Sequence, residues 1–572
     1  MSEFTPTGEQ EVARTAFATG RSLVIEAGAG AGKTATLKLL ALDAQEAGRR
    51  GQYIAFNKAI VTEAGEKMPA NIACSTAHSL AYRSVVQKAK WFPGRLRGSR
   101  RMKSTEIASV LRIDPITVTL PDGTEKKLAA SFLAGLALRG ITRFCQSADE
   151  EPGAHHVPYI NGIDIPPGNR TNNRVVARHL ASALVRAWAD LTNPRGVLPF
   201  KHDHYLKMWQ LSSPRINADF ILFDEAQDAN PVLMDIVRKQ EEFGTQLVWV
   251  GDSQQQIYTF TGAINALQQV GAEQTAYLTQ SFRFGDAVAD VANDVLSHIE
   301  DAELRLTGTE SIPSTVGIVS DPTVILCRTN ARAVRHLLEA ISEGIRPHIV
   351  GGGRDVVDFA KAARDLQDDG WTSHPELSCF DSWGEVQLYV QQDEQGGDLR
   401  LLVSLVDEFG VETIIDALER MPKEEHADLV ISTAHKAKGR EWDRVLIADD
   451  FPAEPQGEEL RLLYVAVTRA RLALDISAVK LLVAPVASGA EEIASAATAD
   501  HASIATEPET PTSSASRPVD GSAAGAEDTD GPVPATDPDI AAIRLRLEAI
   551  EDPIVRTAVA GALGRLEERL SS

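Results

Sequence analysis

The sequence predicts an α/β protein of two units, each built on a parallel sheet and each interrupted by a mostly helical insertion. Three observations carry that expectation. Short apolar, β-branched runs end in small or polar residues, as buried parallel strands do. Helical patterns separate these runs. The length, 572 residues, exceeds what one hydrophobic core organises. In the first half the runs are 22–25, 53–56, 220–223 and 246–250; in the second half they are 324–327, 429–432 and 445–448.

The first unit is expected over residues 1–84 and 206–280, split by a helical insertion over 85–205. The second is expected over 281–365 and 427–487, split by a shorter helical insertion over 366–426. Stretches of this length read as inserted subdomains, because structureless loops so long are rare in compact domains. Over 488–536 the composition turns to Ala, Ser, Thr, Pro, Gly and acid, which has little to bury and predicts a disordered linker. Over 537–572 a helical hairpin is expected. Ile540, Ile543, Leu547 and Ile550 mark one apolar face, Asp552-Pro553 reads as a cap and first turn, and Val555, Val559, Leu563, Leu566 and Leu570 mark a second face. Two roles stay open for it, docking a protein partner or folding back on the chain or a second copy.

Composition excludes several classes. Apolar content of 43% and charged content of 24% are those of a globular protein. No run of about eighteen apolar residues predicts a membrane span, and the N-terminal residues carry no secretory pattern. Cys74, Cys145, Cys327 and Cys379 lie far apart with no CxxC spacing, which fits a reducing cytoplasm better than a disulfide or zinc framework. His202 and His204 form an HxH pair without a third ligand at metal spacing and read as an ordinary polar loop. The net charge of −23 is unevenly spread. Residues 488–539 hold eleven acids and one base, Arg517, whereas residues 82–112 hold nine bases and one acid, Glu106, with Trp91 and Phe92 among them. That basic strip suits a nucleic-acid backbone and its bases, and equally a solvated helical face.

The sharpest motif is Ala27-Gly28-Ala29-Gly30-Ala31-Gly32-Lys33-Thr34, directly after an apolar strand and before a helical run. Small residues let backbone amides approach phosphates, the helix N-terminus adds positive potential, Lys33 reaches the β/γ-phosphates and Thr34 can ligand Mg²⁺. A second motif, Asp224-Glu225-Ala226-Gln227-Asp228, closes the run Phe220-Ile221-Leu222-Phe223. There Asp224 can hold Mg²⁺ and Glu225 can polarise an attacking water. Together the two motifs imply an NTPase site. Hydrolysis also needs positive charge at the γ-phosphate, which a partner domain can supply through an arginine. Arg283 and Arg469 are the candidates.

The ordered set resembles superfamily 1 helicases of the UvrD/Rep type and, within that group, more closely the F-box DNA helicase branch. The resemblance spans about residues 4–475. It implies two RecA-like folds with ATP between them, Gln10 reading adenine, Phe282 stacking on it and Glu441 contacting the ribose. It also implies Gln255 as the γ-phosphate sensor and Arg469 as the arginine finger. For single-stranded DNA, or its junctions with duplex, it implies contacts from Phe56, Asn57, Lys58, Thr76, His78, Tyr258, Phe260 and His435. The expected activity is ATP-dependent DNA unwinding with 3′→5′ movement in repair, recombination or replication. The alternative is a translocase that strips proteins from single strands. Thr261 replaces an arginine usual in the UvrD type, Phe56 is one residue out of register, and the second insertion is short.

Overall fold

The computed structural model describes residues 5–55, 58–87, 92–97, 102–120, 123–160, 163–164, 171–257, 265–372, 374, 376–377, 380, 382–392 and 397–479. The expected acidic linker and C-terminal hairpin lie outside these residues, as do Phe56, Asn57, Trp91, Tyr258, Phe260, Thr261 and Cys379.

The first sheet holds β1 (Leu23–Ala27), β2 (Gly51–Ala55) and β3 (Ile72–Thr76). After a hairpin, β4 (Ile116–Thr119) with β5 (Glu125–Leu128), it resumes with β6 (Phe220–Phe223), β7 (Gln246–Gly251) and β8 (Gln274–Leu278). Its order is β3-β2-β6-β7-β1-β8, and every pairing is parallel. Alternate residues face opposite sides. Ile25, Tyr53, Leu222 and Val250 join one core with Phe17, Leu37 and Leu40 of the helices Gly8–Ala18 and Lys33–Glu46. Ile54, Ile221, Phe223 and Trp249 join the other, which continues into Phe144, Leu180 and Trp209 of the first insertion. The insertion thus shares a core with the sheet.

The second sheet holds β9 (Thr315–Val316), β10 (Val324–Cys327), β11 (Pro347–Ile349), β12 (Leu429–Thr433), β13 (Trp442–Ile447) and β14 (Ala470–Asp475). Its order is β11-β12-β10-β13-β14-β9, again parallel throughout. One side is covered by the helices Asp286–Ser297 and Glu458–Val467. The other carries the helices Asn330–Ser342, Arg354–Asp369, Trp383–Gln392, Gly397–Phe409 and Val411–Arg420. All seven predicted runs are strands, shifted by up to three residues at their ends. Among the described residues, no helix is long and apolar enough to cross a membrane.

Several local expectations change. The mostly helical first insertion also contains the β4–β5 hairpin, with Ile116 opposite Leu128, a strand pair that was not expected there. Its Ile-Thr-Val-Thr alternation is a strand pattern, and Gly123 lies at φ +84°, a conformation that glycine adopts without steric cost. The expected boundaries after 205 and 365 fall inside the helices His202–Leu211 and Arg354–Asp369, whose apolar faces are committed to the shared cores. His202 and His204 start a helix and do not form a loop. His204 Nδ1 accepts the Lys201 backbone N–H at 3.0 Å, the kind of bond that satisfies a helix start. In the basic strip, Arg95 is drawn inward and donates to the carbonyls of Asp190, Leu191 and Asn193, each at 3.0 Å, and to Leu198 at 2.7 Å. It satisfies the end of the helix Thr171–Thr192 and its following turn, a structural duty in place of a phosphate contact.

Candidate active site

Ligands of parallel sheets bind beyond the strands' C-terminal ends, and the first fold gathers its acidic and phosphate-binding motifs there. Between β1 and the helix Lys33–Glu46, Gly30 and Gly32 turn the chain at φ +74° and +77°. A Cβ at Gly30 would also stand 2.5 Å from Ser281 Oγ, and one at Gly28 would stand 2.2 Å from Leu306 Cδ2. The loop is therefore pressed against the segment leading into the second fold, with Ala27, Ala29 and Ala31 buried. Thr34 is half-buried in the first turn of the helix.

Lys33 Nζ lies 3.4 Å from Glu225 Oε2. Burial disfavours its charge, but Glu225, Asp224 and Asp252 outweigh that and raise its pKa. Asp224, at the end of β6, accepts the Tyr53 hydroxyl at 2.6 Å and the Glu225 amide at 2.9 Å. Burial and then Glu225 push its pKa up to about 6. Glu225 behaves oppositely: although burial raises it, Lys33 and Lys438 bring it down to about 2. Glu225 also sits at φ 54°, ψ 43°, a strained conformation for a non-glycine residue and one that concentrates at functional sites.

The third motif wraps the same site. Asp252 Oδ2 accepts Gln255 Nε2 at 2.7 Å, and its backbone N–H donates to Gln227 Oε1 at 3.1 Å. Gly251 is needed there, because a Cβ would come 2.1 Å from that Gln227 oxygen. Glu26 accepts both the amide and the hydroxyl of Ser253 at 2.7 Å. Burial and then Asp252 push Glu26 up to about 7.

The second fold meets these groups across the cleft. Arg469 is 1% exposed and points NH2 at Gln255 Oε1 (3.5 Å), while donating to the carbonyls of Val465 (2.7 Å) and Arg440 (3.2 Å). Burial and neighbouring Arg283 lower its pKa to about 9. Arg283 donates to Glu441 Oε2 at 2.8 Å and to the Thr468 carbonyl at 3.0 Å. Lys438 grips Asp228 at 2.7 Å and the Gln255 carbonyl at 2.6 Å. Tyr464 accepts the Ala29 amide at 3.2 Å and donates to Asp252 at 3.0 Å.

On the nucleobase side, a Cβ at Gly32 would lie 3.5 Å from the Phe282 ring and 3.6 Å from Gln10 Nε2, so the two expected adenine contacts flank one glycine. Phe282 is 47% exposed and can receive a ring, whereas Gln10 is buried in a capping box with Thr7. Glu441 is engaged by Arg283 instead of standing free for a ribose. Away from this cleft, Lys58 is exposed at a helix start, Thr76 caps the helix Ala77–Ala81, and His78 Nε2 lies 3.3 Å from Asp203. His435 lies in the helix Ala434–Ala437, capped by Thr433.

Sequence reasoning assigned no role to Tyr53, Glu26, Asp228, Lys438 or Tyr464. Tyr53 reads as one more apolar residue of a buried strand, and Tyr464 as one of the apolar run Leu462–Val467 within its helix. Only pairing across the sheet and the cleft reveals their polar ends.

The fold and site define a two-sheet P-loop protein whose second fold presents arginines to the phosphate loop of the first. Comparison with known families agrees: an AAA domain matches residues 10–261, and a UvrD-like helicase C-terminal domain matches residues 428–476. In these motifs and domains the chain is similar to UvrD-like, superfamily 1 DNA helicases. It is 29% identical over 511 residues to F-box DNA helicase protein 1 of Schizosaccharomyces pombe, covering 81% of this chain and 56% of that protein. It is also 29% identical over 530 residues to F-box DNA helicase 1 of Gallus gallus, covering 83% and 49%. ATP-dependent DNA helicase UvrD2 of Mycobacterium tuberculosis is 24% identical over 324 residues, covering 44% of this chain and 46% of that protein. The chain spans about half the length of the curated relatives it matches.

Proposed function

We propose that this chain is an ATP-driven motor that moves 3′→5′ along single-stranded DNA and unwinds duplex in repair, recombination or replication. The single observation that carries the reading is the cross-cleft meeting of Arg469 with Gln255 and of Lys438 with Asp228. It joins the second fold to the nucleotide motifs of the first. Polarity and pathway come from the family resemblance.

The chain's own groups suit hydrolysis. The amides at the start of the helix Lys33–Glu46, with Lys33, would bind the phosphates of ATP. Lys33 is now paired with Glu225, so phosphates that draw Lys33 away also release Glu225. Its basicity then rises toward what a water-activating carboxylate needs. Arg283 and Arg469 would stabilise charge developing at the γ-phosphate. Gln10 and Phe282 would hold adenine, and Glu441, once released from Arg283, the ribose. Four carboxylates (Glu26, Asp224, Glu225 and Asp252) gather around one lysine, a donor set that fits Mg²⁺. Thr34 and Asp224 would hold the ion, which supplies neutralisation of the β- and γ-phosphate oxygens when bound. Lys58, Thr76, His78 and His435, with Phe56, Asn57, Tyr258 and Phe260 outside the described residues, would grip the strand.

The second reading, a translocase that strips proteins with little unwinding, draws support from the second insertion. Phe359, Val386, Val406 and Ile414 share one core with Cys327, Ile349 and Ile431 of the sheet. An insertion so committed is a buttress rather than an independent duplex-contacting arm.

ATP hydrolysis with and without single-stranded DNA, for wild type and Lys33→Ala, tests the motor. The expected result is strong stimulation by the strand, lost in the variant; hydrolysis indifferent to DNA would overturn the strand assignment. A strand-displacement assay then separates unwinding from stripping. A cytoplasmic setting fits the reading, and the expected C-terminal hairpin, which lies outside the described residues, would dock a protein partner.

A further inference from the structure

Tyr464 lies in Leu462-Leu463-Tyr464-Val465-Ala466, a stretch of the helix Glu458–Val467 that is buried on every side. A phenylalanine would fill that space without the cost of desolvating a hydroxyl, a cost that only hydrogen bonding offsets. The hydroxyl makes two bonds, both to the other fold. It accepts the amide of Ala29, in the phosphate loop, at 3.2 Å. It donates to Asp252 Oδ2 at 3.0 Å, the oxygen that also accepts Gln255 Nε2 at 2.7 Å. The same Gln255 faces Arg469 at 3.5 Å, five residues beyond Tyr464. Ala29 precedes the amides at the helix start that would bind phosphate, so this bond need not compete with nucleotide.

We propose that Tyr464 is a positioning residue whose hydroxyl relays the setting of the phosphate loop through Asp252 to Gln255 and Arg469. This rests on the cleft being an ATP site. The circuit runs Ala29, Tyr464, Asp252, Gln255, Arg469, crossing between the folds at Tyr464 and again at Arg469. A shift of the phosphate loop moves the hydroxyl, and the hydroxyl governs how firmly Asp252 orients the Gln255 amide. Without it, Gln255 keeps an acceptor but loses the geometry that couples it to the loop, and the arginine is set less often.

Steady-state ATP hydrolysis with a poly-dT oligonucleotide tests this with Tyr464→Phe, Asp252→Asn and the double variant, alongside Lys33→Ala. Tyr464→Phe is expected to lower kcat about tenfold, as loss of one or two buried hydrogen bonds would. The KM for ATP and the affinity for a fluorescent ADP should change much less. The double variant should be no worse than the poorer single variant, because both break one circuit. Wild-type kcat in Tyr464→Phe, a loss confined to KM, or multiplied losses in the double variant would each overturn the relay. If Tyr464→Phe melts below the assay temperature, Asp252→Asn carries the same kcat-against-KM test. If Lys33→Ala hydrolyses ATP normally, the underlying ATP-site reading is what fails.

Discussion

Two turns of the molecule open with the same three residues, Thr76-Ala77-His78 after β3 and Thr433-Ala434-His435 after β12. In each, the threonine ends a strand and caps a short helix, accepting the Ser79 amide at 3.1 Å in one and the Lys436 amide at 3.4 Å in the other. The same local code therefore places a histidine beyond the C-terminal edge of each sheet. Their connections differ. His78 is tied to Asp203, where the helix His202–Leu211 begins. The second turn leads directly past its helix to Lys438, which crosses the cleft to Asp228 and Gln255. One turn is anchored to its own insertion and the other is wired to the nucleotide site. A strand held by both would feel the ATP cycle chiefly through the second.

The largest test of that contrast is Lys438→Met. The Lys438 and Asp228 side chains are 9% and 6% exposed, and removing one partner of a buried pair leaves an uncompensated charge worth about 3–5 kcal/mol. DNA-stimulated kcat is expected to fall about a hundredfold or more. Asp228→Asn in the same chain should recover part of it; a variant that keeps wild-type stimulation would break the contrast.

Glu26→Gln probes the floor beneath the same site. A folded pKa of about 7 against an ordinary 4.5 means that the folded chain holds its proton longer than the unfolded one. Glu26 thus leaves stability intact below pH 4.5, and stability declines as pH rises toward and through 7. The glutamine, which mimics the protonated acid, should match wild type at low pH and be more stable above pH 7, by about 3 kcal/mol at most. Denaturant midpoints across pH 5–8 would show it; parallel curves for the two chains would refute the assigned burial.

The smallest effect is expected on the anchored side. The His78–Asp203 pair is partly exposed, and exposed pairs contribute about 1 kcal/mol or less. His78→Ala should weaken single-strand binding about threefold, read by fluorescence anisotropy. His435→Ala should lower DNA-stimulated kcat more than it lowers binding. If the two histidines behave alike, the distinction between anchored and wired turns fails.

Much of this was legible in residue order alone. The central strands β1, β2, β6, β7, β10, β12 and β13 each contain a short apolar run where both faces are covered, such as Phe220–Phe223 in β6 and Val445–Ile447 in β13. The phosphate loop and the Asp224-Glu225 pair are local because glycine conformations and strand ends are local. Edge strands such as β3 and β8 escaped the reading. Their alternate residues are only partly covered, so no apolar run marks them, and the short edge strand β9 has two residues. The β4–β5 hairpin rests on strands of four residues each, too short for their alternation to stand out within a mostly helical insertion.

What residue order could not state is which polar atoms meet. Tyr53 and Asp224 are 171 residues apart, Lys438 and Asp228 are 210, and Tyr464 and Asp252 are 212. Strand identity and loop conformation depend on neighbours a few residues away, so composition and spacing specify them. Hydrogen bonds between distant buried groups depend on which strands adjoin and how two cores dock. Parallel sheets set that through crossovers that no local pattern encodes. The chemical inventory of the cleft thus belongs to the sequence. The wiring between its two sides, and the strained Glu225 backbone at its centre, arise from packing.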